Sequence, residues 1–173
     1  MPQDIERGFS LIELLIVVAI ILIIAGIAIP NFLRARMAAN ESSAAASVRD
    51  IKTAEMLYYS AYPSIGYAQK LGDLGGADPC TTPSSTSACV VSDPLSTAVP
   101  GSAGKSGYVF SAIGVSTSGG SNDNFVIGAA PVNPKISGTR LFCTTADGSL
   151  RADPGPNGTP VNTISDCLNY ASL

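Results

Sequence analysis

The hydrophobic residues of this chain are concentrated in one stretch near its start, "RGFSLIELLIVVAIILIIAGIAIP", which runs from Arg7 to Pro30. No polar side chain occurs from Leu14 to Ile29. A helix over residues 9–30 would be about 33 Å long at ~1.5 Å per residue, enough to cross a hydrocarbon layer of about 30 Å. The pattern therefore predicts a membrane-spanning helix over residues 9–30.

Two other interpretations of this stretch stay open. A buried helix of a soluble protein is one, although such helices usually keep a polar face and this stretch has none. A cleaved secretory signal peptide is the stronger alternative, with "AGIA" (residues 25–28) as a partial cleavage site. Against it, residues 1–8 hold Asp4, Glu6 and only one basic residue, Arg7, and the apolar run is long for a signal peptide.

The next segment, residues 31–62, predicts a helix with a single apolar face. Its apolar side chains recur close to the i, i+3, i+4, i+7 spacing of an amphipathic helix. These residues are Ala44, Val48, Ile51, Ala54, Tyr58 and Tyr62. The charged residues assigned to its other faces are Arg49, Asp50, Lys52 and Glu55. Pro63 disfavours helix at the residue before it, so we expect the helix to end there.

The remainder of the chain predicts loops and short strands. Residues 63–106 are rich in Gly, Pro, Ser and Thr, which is typical of an irregular loop, and residues 153–173 predict a C-terminal loop region. Residues 107–152 contain β-branched and aromatic runs that predict an antiparallel sheet. The predicted strands are residues 108–115, 124–130, 139–145 and 149–152, with a hairpin at Asp147-Gly148. The expected fold class is α+β, a long N-terminal helix packed on a small antiparallel sheet.

Four cysteines follow the apolar run, and the chain has no CxxC motif. An even number of widely spaced cysteines favours disulfides formed in an oxidising compartment over a metal site. Four cysteines allow three pairings, and proximity along the chain favours Cys80–Cys89 with Cys143–Cys167. Two arginines after the run would favour a cytoplasmic C-terminal side. The cysteines argue for the opposite orientation, which we expect.

The composition limits the chemistry that the chain could perform. It has no histidine and a formal net charge of −3. The absence of histidine removes the Ser-His and Cys-His nucleophile pairs and the commonest metal ligand. "GSAGKSG" (residues 101–107) is similar to a phosphate-binding loop, but Val99 occupies a position where that motif needs glycine. We therefore expect no catalytic residue, metal, cofactor or enzyme activity, and the charge does not indicate nucleic-acid binding.

The segment "RGFSLIELLIVVAIILIIAGIAIPNFLRARMAANESSAAASVR" resembles the N-terminus of type IV pilins and of the related pseudopilins of type II secretion systems. The resemblance rests on a short hydrophilic leader ending in Gly8, then Phe9, then Glu13 four residues later, followed by the apolar run and "IPNF". It covers residues 7–60. The leader, residues 1–8, departs from the family pattern because it is acidic rather than rich in Lys and Arg.

The resemblance implies a structural pilin that a prepilin peptidase cuts between Gly8 and Phe9 and that is then methylated at Phe9. Such a chain would enter the inner membrane, meet an assembly machinery there, and polymerise with other copies of itself into a helical extracellular filament. The filament would serve adhesion, motility or DNA uptake. The alternatives are a periplasmic pseudopilin of a type II secretion system, and a monomeric single-pass membrane protein with a ligand-binding ectodomain.

Glu13 needs a physical explanation, because an isolated carboxylate in hydrocarbon costs ~2.5–3.5 kcal/mol or more. Cleavage before Phe9 would create an amine one helical turn away, and in a filament the amine of a neighbouring subunit could pair with Glu13 and select the axial register. The alternative is that Glu13 lies at the membrane surface without a partner. Pro30 removes a helical hydrogen bond, so we expect a kink or local melting from Gly26 to Pro30; an ordinary membrane-helix kink is the alternative.

Two further sets of residues are candidate ligand or modification sites. Asp147, Asp153 and Asp166 could hold calcium, as some pseudopilins do, although aspartate is also favoured in turns. "NES" at Asn40 and "NGT" at Asn157 are N-glycosylation sequons. Both patterns are common by chance.

Overall fold

The computed structural model describes residues 9–155 and 158–173. Its helices are α1 (Leu11–Ala61), α2 (Leu71–Leu74), α3 (Asp93–Ser96) and α4 (Ile164–Leu168). Its strands are β1 (Tyr108–Val115), β2 (Asn124–Pro131), β3 (Leu141–Thr145), β4 (Arg151–Asp153) and β5 (Ala171–Ser172). The chain forms two compact units, Met1–Arg36 and Met37–Leu173.

The described part of the first unit, residues 9–36, is helical from Leu11 onwards. Its large apolar side chains are exposed, from 46% at Val18 to 80% at Leu11. An uninterrupted apolar surface of this kind is favourable only when lipid or protein covers it. The segment therefore has the length and composition of a membrane span, as residues 9–30 predict.

The helix continues without a break through Gly26 and Pro30. Pro30 has no N–H to donate to the carbonyl of the residue four positions earlier, which is Gly26. The two residues predicted as a weak point are therefore the two ends of one missing hydrogen bond. Melting of this turn on filament formation stays a prediction, because this structure keeps it helical.

The second unit contains a five-stranded antiparallel sheet in the order β1-β2-β3-β4-β5. The longest pairing joins β1 and β2, from Tyr108 opposite Pro131 to Val115 opposite Asn124. The predicted hairpin between β3 and β4 is present. Gly148 adopts φ +80°, which glycine reaches without strain, and its N–H donates to the Thr145 carbonyl at 2.9 Å.

The C-terminal half of α1 packs on this sheet and supplies one side of the core. Every apolar position that the helical spacing selected is buried, apart from Tyr62, which is partly buried and packs against the same cluster. The sheet contributes large side chains that include Tyr108, Phe110, Phe125 and Phe142. Each fully buried aliphatic or aromatic side chain stabilises the fold by about 1.5–3 kcal/mol. The α+β architecture is confirmed.

Both disulfides favoured by the cysteine spacing are present. Cys80 pairs with Cys89 across a Cα–Cα distance of 6.1 Å, and Cys143 pairs with Cys167 across 5.8 Å. The first bridge closes a turn in the long loop. The second joins β3 to α4, so it attaches the C-terminal segment to the sheet.

The regions predicted as irregular contain short elements that the sequence pattern did not reveal. The loop over residues 63–106 includes α2 and α3, and the C-terminal region over residues 153–173 includes α4 and β5. Elements of two to five residues are too short to show a hydrophobic period. The backbone N–H of Asp166 donates to the Thr163 hydroxyl at the start of α4, and the N–H of Leu173 donates to the Leu150 carbonyl at 3.0 Å.

Candidate functional site

The start of α1 positions Glu13 through a local hydrogen bond. Ser10 directly precedes the helix, which makes Glu13 its third helical residue. The Ser10 N–H donates to the Glu13 carboxylate at 2.9 Å. This contact is one half of a capping box, in which a glutamate at the third position binds the backbone N–H of the cap residue. The pattern "SLIE" (residues 10–13) carries this capping signal in the sequence, although the predictions made from the sequence do not include it.

The same end of the helix carries the predicted processing site. Phe9 is 80% exposed and lies two residues before the helix begins. Gly8 and the rest of the leader, residues 1–8, lie outside the described residues. Glu13 has the only charged side chain in the sequence from Phe9 to Leu33. An ionic partner for it must therefore come from a chain terminus, from the segments flanking the run, or from another molecule.

A second carboxylate on α1 corrects the sequence analysis. The sequence pattern places Glu55 on a face other than the apolar one, yet its side chain is fully buried. It follows Ile51 by four residues and precedes Tyr58 by three, so it occupies the same helical face as these core residues. The 3.6-residue spacing is therefore sufficient to indicate that Glu55 lies on the buried face. It does not indicate which group of the folded chain forms a hydrogen bond with the carboxylate.

The carboxyl group of Glu55 has a single hydrogen-bond partner in the described structure. The Ala68 N–H donates to Oε2 at 2.8 Å, while Oε1 is buried and has no partner among the described residues. Asp73 on α2 is nearly buried, and its Oδ1 also lacks a hydrogen bond, although the Lys70 ammonium lies 3.8 Å away. Burial raises the pKa of Glu55 to about 7; the Ala68 hydrogen bond opposes this rise and the charge of Asp73 adds to it.

The neighbouring turn of α1 holds the disulfide loop. The Tyr58 hydroxyl donates to the Ser85 carbonyl at 2.6 Å, within the loop that Cys80–Cys89 closes. The Ala88 N–H donates to the Asp73 carbonyl at 2.8 Å. Helix α1, helix α2 and the disulfide loop are thus connected through one small set of contacts around Glu55.

Comparison with known proteins finds similarity over part of the chain. Residues 5–29 match the family model described as the prokaryotic N-terminal methylation motif. The chain is 40% identical over 78 residues to the type IV major pilin protein PilA of Myxococcus xanthus, which is 41% of this chain and 36% of that protein. The chain is therefore similar, over part of its length, to type IV pilins.

A second pilin relative is the type IV wide pilus major component PilA4 of Thermus thermophilus. It is 53% identical over 51 residues, which is 29% of this chain and 39% of that protein. The chain thus spans well under half the length of the pilins it matches. The matched stretches of 78 and 51 residues are both shorter than the second unit, residues 37–173, so neither covers that unit in full. No solved structure matches the chain.

The pilin motif includes Gly8, Phe9, Glu13 and Gly26, whereas Pro30 lies one residue beyond its end. Of these residues, the described ones belong to the first unit, whereas Glu55 belongs to the second. Two carboxylates of α1 therefore need an explanation. Glu13 lies in the segment that matches the methylation-motif model, and Glu55 lies in the core of the sheet domain.

The aspartates considered as calcium ligands take part in local contacts. Asp147 forms an ion pair with Arg151, which holds the pKa of Asp147 down at about 2. Asp166 accepts a hydrogen bond from the Thr163 hydroxyl at 2.6 Å. Within residues 9–155 and 158–173, no group of three or more metal-ligating side chains is placed to hold an ion. These contacts favour the turn and capping interpretation.

The side chain of Asn40, the first residue of one sequon, forms a hydrogen bond with a residue distant in sequence. Its side-chain amide donates to the Ser137 carbonyl at 2.8 Å and is partly buried. A glycan on that nitrogen would have to displace this hydrogen bond. The other sequon residue, Asn157, lies outside the described residues.

Proposed function

We propose that the chain is a structural pilin that polymerises through its N-terminal helix into a type IV pilus. The observation that carries the proposal is an apolar helix, exposed on all faces, with one carboxylate four residues after Phe9, which follows Gly8. A membrane protein that only needed an anchor would gain nothing from that carboxylate, because it makes insertion less favourable. A filament subunit would use it to recognise its neighbour.

The order of events follows from the same residues. Prepilin peptidase would remove the leader, residues 1–8, and Phe9 would then be methylated on its new amine. Residues 9–30 would hold the subunit in the inner membrane until the assembly machinery transfers it to the filament. There, other copies of the chain would replace lipid around the apolar helix, since either environment removes the same surface from water. Melting between Gly26 and Pro30 would allow the helix to adjust its length during this transfer.

The globular region would be the part of the subunit outside the membrane. The proposed segments are an amphipathic helix over residues 31–62, an irregular loop over 63–106, a sheet over 107–152 and a C-terminal region over 153–173. Two disulfides fit an oxidising compartment beyond the membrane. Because both similar proteins are named as major pilus components, we favour an extracellular pilus over a periplasmic pseudopilus.

Electron microscopy of filaments sheared from the cell surface, with mass spectrometry of their main subunit, tests this function. We expect thin filaments composed largely of this chain, and their loss when its gene is deleted. Filaments that persist after deletion, or a chain found only in the periplasm and inner membrane, would contradict the pilus assignment.

Processing gives a separate prediction. The mature chain should begin at methylated Phe9 and contain 165 residues, the 173 of the sequence less the eight of the leader. Gly8→Leu should block cleavage almost completely, because the family peptidase requires a small residue there, whereas Gly8→Ala is the matched control and should be cut. N-terminal mass analysis measures both. An intact Met1, or a new terminus near Ala28, would show that this leader is not a prepilin leader.

A further inference from the structure

Glu55 lies at a junction where several segments meet. The carboxyl group comes from α1, its only hydrogen-bond donor among the described residues is the Ala68 N–H, and the nearby Asp73 belongs to α2. The backbone in and directly after α2 binds the far end of the disulfide loop. The Ala88 N–H donates to the carbonyl of Asp73 in α2, and the Cys89 N–H donates to the carbonyl of Gly75 just after it, both at 2.8 Å. We call residues 66–91 the clasped segment.

The ionisable groups around Glu55 leave its charge poorly compensated. Asp73 faces it from α2 with a like charge, and Lys70 approaches Asp73 at 3.8 Å while its own side chain is largely exposed. The remaining ionisable neighbours of Glu55 are Tyr58 on α1 and Tyr67 in the clasped segment, and burial raises the pKa of both phenols, so they stay neutral near pH 7. Tyr62 packs against Tyr58 and Tyr59 against Tyr67. None of these groups supplies a positive charge to the Glu55 carboxylate.

A fully buried carboxyl group with one hydrogen bond is far better tolerated as the neutral acid than as the anion. Ionisation would leave a charge in the core beside a second carboxylate, with one oxygen lacking any donor among the described residues. Water that reached Glu55 would solvate the anion and lower the free-energy cost of ionisation. Water can reach it when the segment that covers it moves away from α1.

We propose that Glu55 is a proton-operated clasp: as the neutral acid it holds the clasped segment against α1, and on losing its proton to solvent it weakens that attachment. The Tyr58–Ser85 hydrogen bond and the Cys80–Cys89 loop lie in the segment that is released. The surface that residues 76–87 present would therefore depend on pH. The clasp lies wholly within residues 37–173 and does not require filament formation.

The direction of the pH dependence follows from proton linkage. The folded chain binds the Glu55 proton more tightly than an opened chain, whose carboxyl group titrates near the ordinary value of 4.5. The stability supplied by the neutral form is present in full below pH 4.5 and is lost as the pH rises to about 7. The clasp thus holds in acid and weakens towards neutral and alkaline pH, opposite to the behaviour of a surface ion pair.

Hydrogen exchange of the mature full-length chain in detergent micelles tests the clasp. After correction for intrinsic exchange rates, protection of the amides in residues 66–91 should fall by about tenfold for each pH unit between pH 5 and 7 and level off above. Amides of β1 and β2 should stay better protected than the segment at every pH, which distinguishes local release from global unfolding. Equal protection of segment and sheet, or a segment profile that does not change with pH, would overturn the proposal.

Three variants identify the group responsible. Glu55→Gln keeps an acceptor for Ala68 but cannot ionise, so its segment should remain protected to pH 8 with a flat profile. Asp50→Asn removes an exposed carboxylate from the same helix and should behave as wild type. Asp73→Asn removes the like charge, so its profile should level off at a lower pH than in wild type. A pH-dependent, wild-type profile in Glu55→Gln would exclude Glu55 as the clasp.

Infrared difference spectroscopy provides a readout that a packing role would not affect. Raising the pH from 5 to 8 should remove one protonated-carboxyl band from the wild-type spectrum, and this band should be absent from Glu55→Gln. If Glu55→Gln fails to fold, Asp73→Asn provides the test instead. The pH at which half of the protonated-carboxyl band is lost should be lower in Asp73→Asn than in wild type if the band belongs to Glu55. A wild-type spectrum with no such band at pH 5–8 would contradict the assignment.

Discussion

Replacing Glu13 by leucine should abolish surface filaments while leaving the subunit in the membrane. Insertion should be unaffected or improved, because the change removes a carboxylate whose transfer into hydrocarbon costs ~2.5–3.5 kcal/mol. Assembly should fail, because the Phe9 amine of the neighbouring subunit would be buried without its partner at a cost of about 3–5 kcal/mol. That cost corresponds to at least about a hundredfold at each addition. Sheared-filament yield and membrane-fraction immunoblots measure the two effects.

The hydrogen bond between Glu13 and the Ser10 N–H requires a control, since leucine also removes this cap. Glu13→Gln keeps an acceptor for Ser10 but carries no charge, so it should lose filaments almost as completely as leucine. Glu13→Asp keeps the charge with a shorter reach and should be intermediate. Wild-type filament yield from Glu13→Gln would show that capping, and not charge pairing, is the role of this residue. Loss of the Glu13→Leu subunit from the membrane would show a role in insertion.

Removing the Cys143–Cys167 bridge should be the more damaging of the two disulfide deletions. In the chain-entropy model, closing a separation of 24 residues stabilises the fold by about 3.5 kcal/mol, and a separation of nine residues by about 2.6 kcal/mol. Both Cys143 and Cys167 are also fully buried, in a cluster with Val126 and Val161, so their replacement by alanine removes packing as well. Denaturant unfolding of the mature chain measures the difference.

The two deletions should also differ in what they loosen. Cys143→Ala with Cys167→Ala should lower the hydrogen-exchange protection of α4 and of the β4–β5 pairing, because α4 then loses its covalent link to β3. Cys80→Ala with Cys89→Ala is the matched control and should affect the disulfide loop while β5 stays paired. Alkylation of all four cysteines in the native chain without reductant would contradict the disulfide assignment.

The elements recognisable in advance are those whose signal is local and repeated. The apolar run of residues 9–30 needs no partner to be identified, because every helical face carries the same type of side chain. The core face of α1 follows from the 3.6-residue period, which selected Ala44, Val48 and Ile51 correctly. The first strand, Tyr108–Val115, was located to the residue, since its β-branched and aromatic residues lie between turn-forming segments.

The candidate sites divide in the same way. The motif around Gly8, Phe9 and Glu13 is a contiguous pattern, so the sequence is sufficient to find it, and the "SLIE" cap could have been read from it as well. The pairing of four cysteines was favoured by proximity along the chain, which works when both bridges close short loops.

The environment of Glu55 belongs to the folded chain. The helical period places Glu55 on the buried face, but a buried carboxyl group is defined by its partners, and these are remote in sequence. The Ala68 N–H lies 13 residues further on, and Asp73 follows on a four-residue helix too short to show a period. Their meeting depends on how residues 66–91 fold back over α1. The spacing of residues along one helix gives no information about how a distant segment folds back over it. The environment of Glu55 is therefore visible only in the packed structure of the domain.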